Sequence, residues 1–96
     1  IISILDFYEG PGKVKIENNE ILTEILIDIK DYYGKSSKYI KFTHRKALDI
    51  SMLGVCIVLN IKENTINDMR VSLGVAGPTP LRCLEAERYS IGKELN

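Results

Sequence analysis

The chain contains no tryptophan, one histidine (His44) and two cysteines in 96 residues, and it has no charge of one sign to spare, with 13 basic and 13 acidic side chains. Each shortage excludes something. By halves the balance is +1 over residues 1–48 (8 basic, 7 acidic) and −1 over residues 49–96 (5 basic, 6 acidic). No basic stripe exists to neutralise a nucleic-acid backbone or an anionic membrane surface, so neither is an expected partner. The longest apolar run is about eight residues, far short of the ~20 needed for a spanning helix. Two thiols cannot complete a four-ligand zinc site, and no Cys-x-x-Cys occurs. Cys56 lies in an apolar run and reads as a small hydrophobe. With Cys83 it forms a reduced, cytoplasmic pair more readily than a disulfide. A hydrolytic triad could use only His44, and no nucleophile elbow precedes it, so His44 reads as a surface or locally satisfied histidine, with a ligand contact as the alternative. The length suits one domain or a piece of a larger protein. The absence of an initial methionine points to processing or excision.

What is present is a strand-rich chain. Ile1–Tyr8 is apolar and ends at Gly10-Pro11-Gly12, a turn signal. Ile21–Ile29 alternates, with residues 21, 23, 25, 27 and 29 on one face and Glu24 and Asp28 on the other, which predicts a period-2 strand. A loop around Gly34 follows over 31–38, then a short strand at Tyr39–Phe42. Met52–Ile61 is almost wholly apolar and predicts a central strand covered on both faces. Glu63-Asn64 turns the chain into a second alternating strand with Met69, Val71, Leu73 and Val75 on one face. After Gly77-Pro78, Thr79 is a candidate helix cap with Pro80 at the first helical position. Leu81 and Leu84 would form the helix's apolar side, Glu85 and Arg88 an ion pair, and Gly92 its stop. Strands first and one late helix make an α+β pattern.

Several groups could carry chemistry. Gly10-Pro-Gly-Lys13 lacks the Walker spacing and reads as an interdomain turn, or less readily as an anion contact. Lys41, His44, Arg45 and Lys46 cluster just before Asp49. They form either a solvated charge cluster or a place where Lys41 donates to an anionic ring or carbonyl oxygen. Asp68 and Arg70 predict a local ion pair. Gly74 and Gly77 either admit a cofactor close to the backbone or relieve a sheet edge. The Thr79-Pro80 start offers free N–H groups to an anion, a generic capacity. Tyr32, Tyr33 and Tyr89 are candidates for a docking surface.

Three blocks together resemble the C-terminal part of the FAD-binding subunit of the molybdenum hydroxylases, the xanthine dehydrogenase and CO dehydrogenase flavoprotein family. They are Asp6–Lys13 with Glu20–Glu24, Tyr39–Ile50 with its Lys–x3–Arg–x3–Asp spacing, and Ile66–Arg82 ending in Glu85-Ala-Glu87. They span nearly the whole chain in the family's order. The resemblance implies a small, mostly antiparallel three- to four-stranded sheet packed with helix. It also implies that residues 1–19 are the tail of a flavin-binding domain and its linker, and that residues 20–96 are part of the C-terminal subdomain.

The implied parent is an oxidoreductase that passes electrons from molybdopterin and 2Fe-2S centres through FAD to NAD+ or another acceptor. By position, Lys41 matches the lysine beside the isoalloxazine, and Arg45 belongs to the same segment. Leu48 falls where a ring-side residue lies, with Asp49 one position beyond the acid found in some relatives. The Gly-rich pyrophosphate loop and most of the helical tail after Glu87 are absent. The chain alone is therefore expected to bind FAD weakly or not at all, to leave apolar surface uncovered, and to seek a partner, its own copy included. The alternative is a non-catalytic interaction or regulatory module with the same fold. A small hydrolase is undermined by the single histidine.

Overall fold

The structure, a computed structural model, describes residues 1–43 and 53–95. A short helix α1 (Ile4–Phe7), capped by the Ser3 side chain, leads into strands β1 (Tyr8–Gly10) and β2 (Lys13–Val14). These pair antiparallel across Pro11-Gly12, with Gly12 in the left-handed region that the turn requires. The next element is α2 (Ile29–Tyr32), and four strands follow: β3 (Ser36–Phe42), β4 (Leu53–Lys62), β5 (Thr65–Gly74) and β6 (Leu81–Arg82). They form one antiparallel sheet in the order β3-β4-β5-β6, and α3 (Leu84–Ser90) packs against β5. The expected α+β class and small antiparallel sheet with a helix are what the chain adopts.

The β4–β5 hairpin turns at Glu63-Asn64, as the sequence predicts. Both residues have positive φ (52° and 63°), the twist that matches a two-residue hairpin to its strands. Cross-strand pairing sets Leu59, Ile57 and Val55 opposite Met69, Val71 and Leu73, so the register joins the alternating apolar residues of β5 to those of β4 on one face. Val71 is the only buried hydrophobic side chain among the described residues. The chain exposes 8456 Å², against about 5500 Å² for a compact protein of 10.8 kDa. The expectation of uncovered apolar surface therefore holds.

Four expectations are corrected. The alternating stretch 21–28 forms no strand, and α2 begins at Ile29. Alternation assigns faces, but a strand also needs a partner edge, and none adjoins this stretch among the described residues. β4 is interior to the sheet but not covered on both faces, since Gly54 is its only buried residue. No helix starts at Thr79-Pro80. Leu81 and Arg82 pair with Leu73 and Ser72 instead, Cys83 N–H donates to the Val71 carbonyl, and the helix begins at Leu84. Long-range pairing overrides the local cap signal here. Glu85 and Arg88 form no ion pair. Gly92, at φ 86°, does follow the helix end as expected.

Val75 falls just past β5 rather than on its apolar face, with φ 63°. A β-branched residue is strained in that region, where the left-handed geometry costs roughly 1–2 kcal/mol. Val75→Asn is therefore expected to raise the unfolding free energy by about 1 kcal/mol in urea titrations, because asparagine tolerates this geometry. An unchanged or lowered midpoint would contradict the strain.

Candidate functional site

β3 is longer than the four-residue strand expected, beginning at Ser36, and its register decides where Lys41 stands. Lys41 pairs with Gly54 on β4, and Gly54 pairs with Gly74 on β5. Residues in register share a face, so the lysine looks along a row stripped of side chains. A Cβ added at Gly54 would meet the Tyr39 hydroxyl at 2.8 Å and its ring at 3.3 Å, which places the Tyr39 ring over Gly54 on the same face. A Cβ at Gly74 would meet nothing within 4 Å. The result is an exposed cation, a tyrosine ring covering Gly54 and open backbone at Gly74, a platform suited to a flat, electron-rich ring. Among the described residues Lys41 has no ion-pair partner. Arg45, Leu48 and Asp49, together with His44, lie outside the described residues.

A second cluster fixes the opposite edge of β5, and sequence reasoning missed it. Glu87 on α3 is buried, at 5% exposure. Its carboxylate accepts two hydrogen bonds from Arg82, Nε and Nη2 each at 2.7 Å, and a third from the Val71 backbone N–H at 2.8 Å. The Arg82 hydrogen bonds hold the Glu87 pKa down at about 2 against the opposing effect of burial, with the Val71 N–H adding to them. Hydrogen bonding to Glu87 raises the Arg82 pKa in turn. Glu87 therefore fills the β5 edge where β6 stops. The sequence signal was available: Leu84, Glu87 and Ile91 fall at i, i+3 and i+7, so this carboxylate occupies an apolar helical row.

The predicted Asp68–Arg70 pair is present (Nε to Oδ1, 3.3 Å), and Lys35 joins it at 3.5 Å. Burial pushes the Asp68 carboxyl up, but hydrogen bonds and charge from Arg70 and Lys35 outweigh it and leave the pKa below its ordinary value. Gly77 relieves a contact, since a Cβ there would stand 3.0 Å from Leu81. Cys56 and Cys83 are both free and half-buried. Tyr32, Tyr33 and Tyr89 are exposed, and the Lys93 ammonium lies 4.9 Å from the centre of the Tyr89 ring. No helix among the described residues is long and apolar enough to cross a membrane.

The family model described as the CO dehydrogenase flavoprotein C-terminal domain matches residues 38–96. The chain belongs to that family. Its matched part starts within β3 and includes both the Lys41 platform and the Arg82–Glu87 clamp. The chain is 34% identical over 95 residues to a xanthine dehydrogenase FAD-binding subunit of Escherichia coli, covering 99% of the chain and 32% of that protein. It is 30% identical over 95 residues to the glyceraldehyde dehydrogenase medium chain of Sulfolobus acidocaldarius, covering 99% and 33%.

Among solved structures, the Cu,Mo-CO dehydrogenase in its cyanide-inactivated form superposes with a TM-score of 0.76 at 25% identity, covering 95% of the chain and 31% of that one. Quinoline 2-oxidoreductase from Pseudomonas putida superposes at 0.79 with 20% identity, over 95% and 30%, which speaks to the fold. The chain thus spans about a third of the length of its curated relatives.

Proposed function

We propose that this chain supplies the C-terminal wall of the flavin site in an FAD-binding subunit of a molybdenum hydroxylase of the xanthine dehydrogenase type. The observation that carries the reading is the Lys41–Gly54–Gly74 row within the matched family domain. Bound FAD would supply electron transfer from molybdopterin and 2Fe-2S partner subunits to NAD+ or another acceptor. Lys41 would hold the ring's electron-rich edge, where positive charge favours the reduced form. Gly74 would let the ring approach the backbone, beside the Tyr39 ring that covers Gly54. Arg45, Leu48 and Asp49 belong to the same wall by position in the family's segment. The division into a flavin-domain tail at 1–19 and a partial C-terminal subdomain at 20–96, and a cytoplasmic location, are parts of the same proposal.

One wall of a pocket cannot offset the cost of immobilising a ligand, so the isolated chain should bind FAD weakly or not at all. Gly74→Leu separates site from fold, because a Cβ at Gly74 meets nothing while a leucine there would stand on the platform. In the whole flavoprotein, this substitution is expected to weaken FAD binding at least ~10-fold, a change of about 1.4 kcal/mol, with the melting temperature little changed. FAD titration followed by flavin fluorescence reads the effect. Unchanged affinity would place the ring elsewhere.

A further inference from the structure

Tyr39 carries a hydroxyl that the fold places but does not use. In register Tyr39 faces Cys56 on β4, yet its ring does not stay in that row. It leans one diagonal step along β4, a reach open to aromatic side chains on a sheet. There it covers Gly54, where an added Cβ would meet the hydroxyl at 2.8 Å, Cε2 at 3.3 Å and Cζ at 3.4 Å. The phenol tip therefore stands in the row of Lys41, Gly54 and Gly74. The space over Gly74 is open, since nothing lies within 4 Å of a Cβ built there. Tyr39 is 58% exposed, and its hydroxyl makes no hydrogen bond among the described residues.

Packing explains the ring but not the hydroxyl. An aromatic side chain laid over a glycine shields bare backbone, and phenylalanine would do that equally well. A polar tip at this place gives the platform a second donor beside Lys41. The ammonium is a charge on a flexible stem, whereas the phenol is neutral, directional and held on a rigid ring. The pair therefore divides the work: charge from Lys41, orientation from Tyr39. Resting on the flavoprotein reading above, we propose that the Tyr39 hydroxyl is a flavin-binding group, donating a hydrogen bond to an acceptor on the ring edge beside Lys41. Gly54 is the positioning residue that seats it, because a side chain there would push the hydroxyl out of the row.

Tyr39→Phe in the whole flavoprotein keeps the ring over Gly54 and removes only the hydroxyl. It is expected to weaken FAD binding about 2- to 10-fold, the range of one neutral hydrogen bond. The flavin midpoint potential should fall as well, because a hydrogen bond to the ring strengthens as the ring gains electrons. The melting temperature of the apoprotein should not change. Gly54→Ala should weaken FAD binding in the wild-type background and add little to Tyr39→Phe, where its Cβ meets ring carbons at 3.3 Å and beyond. Unchanged affinity in Tyr39→Phe, or a loss of affinity without a fall in potential, would reduce Tyr39 to a cover for its glycine and overturn the proposal. Additive losses from the two substitutions would overturn it too. Failure of the flavin reading is distinguishable, because Lys41→Ala and Gly74→Leu would then be silent as well; failure of this proposal alone leaves both of their effects in place.

Discussion

Glu87→Ala is expected to lower the unfolding free energy by about 3–5 kcal/mol, the usual cost of breaking a buried ion pair by removing one partner. The loss is large against a total of roughly 5–14 kcal/mol for a domain of this length. Three hydrogen bonds converge on this carboxylate, so its removal strands the Arg82 guanidinium and the Val71 N–H at once. Urea denaturation followed by circular dichroism measures it, and a loss below 1 kcal/mol would show that the clamp is ornamental to the fold.

The same group fixes an acid limit. Its folded pKa of about 2 lies below the ordinary 4.5, so its contribution is complete above pH 4.5 and disappears as pH falls toward 2. That shift corresponds to about 3 kcal/mol. The wild-type chain should therefore lose stability steeply across that window, and the Glu87→Ala variant should show a flatter profile there. Parallel profiles for the two would contradict the assignment.

Lys41→Ala in the intact flavoprotein is expected to lower the flavin midpoint potential by roughly 30–65 mV. The estimate converts the loss of one charge-assisted hydrogen bond, about 1.5–3 kcal/mol, to a two-electron couple. Lys41→Arg keeps the charge and should restore most of the potential. Stability should change little, because Lys41 is exposed and makes no ion pair among the described residues. A potential unmoved by Lys41→Ala would remove Lys41 from the ring's surroundings.

Much of the sheet was legible because its signals are local. Glu63-Asn64 turns a hairpin between an apolar run and an alternating one, and these form β4 and β5, with Val75 just past the second. The failures come from interactions that a linear reading does not contain. Ile21–Ile27 carries apolar residues at alternating positions but meets no neighbouring edge among the described residues, and hydrogen bonding rather than pattern decides whether a strand forms. Thr79-Pro80 is a reasonable helix start, yet pairing of Leu81 and Arg82 with β5 and the Arg82–Glu87 contact delay the helix to Leu84. Of the site, Lys41 was legible through its segment's resemblance to a family, and Gly74 as a place of close approach. Gly54 and Tyr39 escaped notice because only the β3–β4 register brings them beside Lys41. Glu87 entered the sequence reading only as the end of a resemblance block, and its role follows from the contacts that Arg82 and the Val71 N–H make with it.

The central claim is that this chain is the flavin-side wall of a larger FAD-binding subunit, and the most direct test is the mass and absorbance spectrum of the protein as natively expressed. A yellow product with flavin bands and about three times the 10.8 kDa of this chain is the expected result. A colourless native product of 10.8 kDa would contradict it.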